Sequence, residues 1–160
     1  MQPGKYTQFL RQLLLTVLLG YIGFNVYAAD ILGIGGYTLG DVLNKEFILN
    51  ENKTEDGVSV YTVKPLQPAP RVEILTVRIS PTQHIHRISA FTPILDAAKC
   101  QMEMTSLRKQ TEQRFPALGY YAMDQSEMFY QDDRTYTLEC INFDGGLRLR
   151  QEYSDDKLAK

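Results

Sequence analysis

Residues 72–91 read VEILTVRISPTQHIHRISAF, and this stretch decides the fold class. Leu75, Val77 and Ile79 alternate with Thr76 and Arg78, the period of a strand with one buried face. Ser80-Pro81-Thr82-Gln83 is turn-like, and 84–91 returns with Ile85 opposed in phase to His84 and His86. The pair predicts an antiparallel β-hairpin. Thr92-Pro93 follows, a favoured N-cap before a residue tolerated at the first helical position. Ala97, Cys100, Met104, Leu107, Thr111 and Phe115 then recur at spacings of three and four. That stripe predicts one long amphipathic helix reaching about residue 114, before Pro116.

Working outward, Thr38-Leu39-Gly40-Asp41 has the pattern of a capping box, so a short helix is expected to about residue 47. Residues 50–57 are polar and turn-like, and 58–63 carry the β-branched and aromatic content of a strand. Three prolines within 65–70 make a stiff internal connection. On the far side, Leu118-Gly119-Tyr120-Tyr121 is expected to be an exit loop and 127–130 a strand. Asp132-Asp133-Arg134 should turn, and 135–143 and 147–153 should pair across Asp144-Gly145-Gly146. The polar tail 154–160 is expected to fray. The fold class expected is α+β: an antiparallel sheet of hairpins with a short N-terminal helix and one long helix packed on one face. The similar order of elements in the two halves is compatible with a tandem α-β-β-β pseudo-repeat.

The first 28 residues lie outside this pattern. Lys5 and Arg11 precede an almost wholly apolar run from Leu13 to Phe24, and Val26 and Ala28 offer small residues for cleavage. These are the parts of a secretory signal peptide, and the run is short for a membrane span. Residues 29–160 are then one small exported domain, periplasmic or secreted, touching a membrane only through the transient leader. Losing the leader removes two of the 17 basic residues and none of the 19 acidic ones. The resulting acidic balance disfavours nucleic acid as a partner. Both cysteines, Cys100 and Cys140, remain, and an oxidising compartment favours a disulfide between them. Cys100 sits in the helical stripe and Cys140 on a strand, so the bond would clamp helix to sheet.

This order of elements, from the helix at Thr38 through the helix at Pro93 and its three strands, resembles two known groups. One is the helix-plus-three-strand module of the outer-membrane assembly lipoproteins. The other is the tandem repeat of secreted β-lactamase-inhibitor proteins. The resemblance covers most of the exported part and consists of element order. No diagnostic motif carries it, and the lipidated cysteine of the first group is missing. Both groups bind protein surfaces, so the resemblance implies a binding role.

Chemical signatures are sparse. His84 and His86, two apart on a strand, could share a face and grip a metal ion, but a stable site needs further ligands. Gly33-Ile34-Gly35-Gly36 meets neither phosphate-loop pattern. There is no G-x-S-x-G nucleophile elbow, and Asp132-Asp133 and Asp155-Asp156 read as solvated charges. No cofactor is implied. Aromatic residues gather in the second half, and Tyr120, Tyr121 and Tyr130 are candidates for a recognition surface, since tyrosine offers large area and a polar tip. The expected function is a non-enzymatic module that binds a protein or envelope component. The alternative is a small envelope enzyme or metal-handling protein using His84 and His86.

Overall fold

A computed structural model describes residues 31–54, 57–123 and 125–160. The leader expected over 1–28 lies outside them. A two-stranded hairpin, β1 (Gly33–Ile34) and β2 (Tyr37–Thr38), comes first. Eight further strands build one antiparallel sheet: β3 (Ile48–Lys53), β4 (Ser59–Val63), β5 (Ile74–Ile79), β6 (Ile85–Phe91), β7 (Gly119–Met123), β8 (Ser126–Gln131), β9 (Arg134–Phe143) and β10 (Gly146–Asp155). Among the described residues one α-helix, α1 (Ala97–Arg114), separates β6 from β7. The strand order is β3-β4-β5-β6-β10-β9-β8-β7. Two four-strand meanders therefore meet through their last strands, and β3 and β7 are left as the edges.

The fold is mainly β, which corrects the α+β expectation and the tandem α-β-β-β order. The short N-terminal helix does not form. Gly40 sits at φ 94°, and the backbone nearby bonds to strand partners instead. Leu39 N–H donates to Leu32 O, Gly40 N–H to Ile85 O, and Ile85 N–H to Asp41 O. A single 3-10 turn, Lys45–Phe47, is capped by Asn44, whose side chain accepts from Glu46 N–H at 3.1 Å. Helix α1 starts four residues later than expected. Thr92 is spent on β10: its N–H donates to Leu149 O, and its hydroxyl accepts from Leu149 N–H at 3.0 Å. Asp96 is the N-cap, accepting from Lys99 N–H at 2.8 Å. Strand β3 occupies part of the stretch expected to be turn-like, and β7 occupies the expected exit loop.

Local signals did set the second-half hairpins. Phe143 pairs with Gly146 across Asp144 (φ 48°) and Gly145 (φ 84°). Positive φ at both central residues is the geometry that matches strand twist in a tight hairpin. The tail does not fray from residue 154, because β10 continues to Asp155. Asp155 Oδ1 then accepts from the Lys157 and Leu158 amides, and Leu158 packs into the core.

One face of the sheet is covered. Helix α1 lies over β9 and β10, burying Cys100 and Met104 against Leu138, Cys140 and Leu149. The Cys100–Cys140 disulfide joins helix to sheet there. Over the first meander, Tyr37 and Leu39 pack on Leu75, Val77 and Ile88. Tyr153 packs against both clusters and makes the core continuous. Among the described residues, no helix is long and apolar enough to cross a membrane.

Candidate interaction site

The two edges of the sheet differ in kind. Edge strand β3 carries Glu51 and Lys53, and its pairing with β4 shifts register between Ile48 and Asn50. Charge and a bulge are the usual means by which an edge avoids pairing with another chain. Edge strand β7, Gly-Tyr-Tyr-Ala-Met, has no charge and no proline. It pairs with β8 without a break, from Gly119 opposite Tyr130 to Met123 opposite Ser126. Its outer row of backbone N–H and C=O groups is thus a regular template.

Strand alternation sends the β7 side chains to opposite faces. Tyr120 turns to the helix side, where its ring lies 5.1 Å from that of buried Phe129. Close by, Glu127 pairs with Arg108 Nε at 3.3 Å. Burial raises the Glu127 carboxyl above the ordinary value, with Arg108 opposing. Burial and the Glu127 charge likewise raise the Tyr120 phenol. Tyr121 and Met123 turn to the open face. Tyr121 sits opposite Met128, and the ring of Tyr130 occupies the space a side chain at Gly119 would need. Tyr121, Met123 and Tyr130 are 58%, 50% and 47% exposed, so this end of the open face is an apolar, tyrosine-bearing shelf beside the bare edge.

The middle of the open face is polar. Arg87, Glu152, Arg150 and Glu139 form a chain of ion pairs across β6, β10 and β9, and Ser89 donates to Glu152 Oε2 at 2.8 Å. Beyond it, Phe91 and Phe143 stack with centroids 4.1 Å apart. They come from the strands flanking β10, so they meet above Arg148, which is only 3% exposed.

The histidines occupy less open positions. His84 lies before β6, its Nδ1 2.8 Å from Gly40 O. His86 is the extra residue where the β5–β6 register shifts between Arg78 and Ile79, so simple alternation fails there. Burial, then Arg87 and Arg78, lowers its imidazole below the usual range. Among the described residues, no group of three or more His, Cys, Asp or Glu could hold a metal ion. Sequence reading singled out Tyr120, Tyr121 and Tyr130 and missed Met123 and Met128. It also missed that residues 119–123 form a strand. The signal was present as an uncharged apolar run, 117–123, and a second aromatic-bearing run, 126–130, with Glu127 as its one charge, separated by the polar pair Asp124-Gln125. No protein-family model, no curated protein and no solved structure matches the chain.

Proposed function

We propose that the protein is an exported, periplasmic or secreted binding module that takes an extended segment of a partner protein onto its β7 edge. The carrying observation is the contrast between the edges, one blunted by charge and a bulge and the other, among the described residues, bare. Strand addition gains affinity from main-chain hydrogen bonds and specificity from alternate side chains. The shelf of Tyr121, Met123 and Tyr130 supplies the second. Export is supported by the leader pattern in 1–28 and by the disulfide, which suits an oxidising, non-cytoplasmic compartment.

The test is affinity capture from the producing cell's envelope with three chains: the parent, Tyr121→Lys/Met123→Lys, and Leu49→Lys on the opposite edge. All three positions are at least half exposed, so the fold should persist. A specific partner should be captured by the parent and by Leu49→Lys and lost from the double variant. Equal capture by all three would refute the β7 reading.

A further inference from the structure

Between the second half of α1, the start of the described chain and the sheet lies a cavity of about 340 Å³. That is the lower end of the range for small-molecule sites, and room for roughly eleven waters or a ligand of about ten non-hydrogen atoms. Leu107, Thr111 and Arg114 line it at helical spacing from α1. Ile31, Leu32, Phe115 and Leu118 make the rest of its apolar wall.

Its polar groups come from the sheet. Tyr136 on β9 donates to Gln151 Oε1 at 3.0 Å, and its ring lies 4.6 Å from that of Tyr153. Burial raises both phenols, Tyr136 strongly, so both stay protonated hydroxyls in neutral solution. The one formal charge on the lining is Arg114. Its guanidinium rests over the Phe115 ring at 5.1 Å and acts electrostatically on Tyr153. Among the described residues, no carboxylate pairs with it. An apolar wall, hydroxyl and amide groups and one unneutralised cation are the complement of an amphipathic anion.

We propose that this cavity binds a small monocarboxylate with an apolar tail. The carboxylate takes Arg114, and the tail lies against Leu107, Ile31 and Leu118. A planar guanidinium suits a carboxylate because two parallel N–H groups meet its two oxygens. The site is separate from the β7 edge and would hold whether or not that edge binds a partner.

Calorimetric titration with octanoate and with octanamide, its uncharged counterpart, tests this. Octanoate should bind saturably at one site per chain, about three- to fivefold more tightly than octanamide, the margin of an ion pair with an exposed guanidinium. Arg114→Gln should bring the two ligands to near-equal affinity with an unchanged circular dichroism spectrum, since Arg114 is exposed. Leu107→Trp, which fills the cavity, should abolish binding of both. The proposal fails if octanoate shows no saturable binding. It fails equally if Arg114→Gln binds octanoate as the parent does, or if Leu107→Trp retains it.

Discussion

Arg148 shows how a single charged side chain can hold a fold together. Its Nη1 donates to Thr92 O at 2.7 Å and its Nε to Phe143 O at 3.1 Å, beneath the stacked phenyl rings. Glu73, half exposed, completes its charge balance at 3.3 Å. Replacing Arg148 with Leu takes a buried charged donor from Thr92 O and Phe143 O and leaves Glu73 without its partner, so urea denaturation should show a loss of about 2–4 kcal/mol. Glu73→Gln should cost well under about 1 kcal/mol, as for exposed ion pairs. His86 gives a pH signature. Its folded-state pKa lies below the ordinary 6.5, so the folded protein holds that proton more weakly than the unfolded chain does. Its contribution is therefore full above pH 6.5 and is lost as pH falls toward the lowered value. Denaturation at about pH 7.5 and about pH 5.5 should show acid destabilisation that His86→Gln reduces. An identical slope in parent and variant would contradict this. None of these roles was legible in the sequence. An arginine at 148 alternates with apolar neighbours as any open-face residue would, and a bulge at His86 leaves no mark on the residue pattern.

At the scale of elements, the strongest signals were those that a few neighbouring residues complete by themselves. Asp144-Gly145 makes its turn because those residues accept positive φ, and the helical stripe around Cys100 and Met104 is buried where expected. The failures came where distant partners outbid local preference. Thr92-Pro93 has good helix-start chemistry, yet β10 claims the Thr92 hydroxyl and Asp96 takes over as cap. Thr38 and Asp41 resemble a capping box, but their neighbours' amides go to Leu32 and Ile85. Thr92→Val is a direct check. It removes the acceptor of the Leu149 amide, which should exchange faster and cost about 1–3 kcal/mol, while α1 keeps its helicity. Loss of helix signal instead would restore Thr92 as the cap.

Across the whole molecule, the chain is held together by the β6–β10 seam, by Tyr153 in both core clusters and by one covalent clamp. The disulfide was legible because only two cysteines exist, one on a helical stripe and one on a strand. The strand order was not, since pairing the last strands of two meanders depends on contacts across 60 or so residues that no local pattern encodes. Closing a loop with a sequence separation of 40 should stabilise the fold by about 4 kcal/mol at most on chain-entropy grounds. Reduction, or Cys100→Ala/Cys140→Ala, should lower the urea midpoint accordingly, and an unchanged midpoint would show that the clamp is redundant with the packing of α1. The bare β7 edge is likewise a property of the assembled sheet, visible only once β7 is known to be outermost. The decisive measurement is photo-crosslinking in the producing cell with a benzophenone amino acid at position 121, compared with the same probe at position 49. Position 121 should yield a discrete adduct with a different protein, and position 49 none. No adduct at 121 beyond that at 49, or one with the mass of two copies of this chain, would rule out a partner protein on the β7 edge.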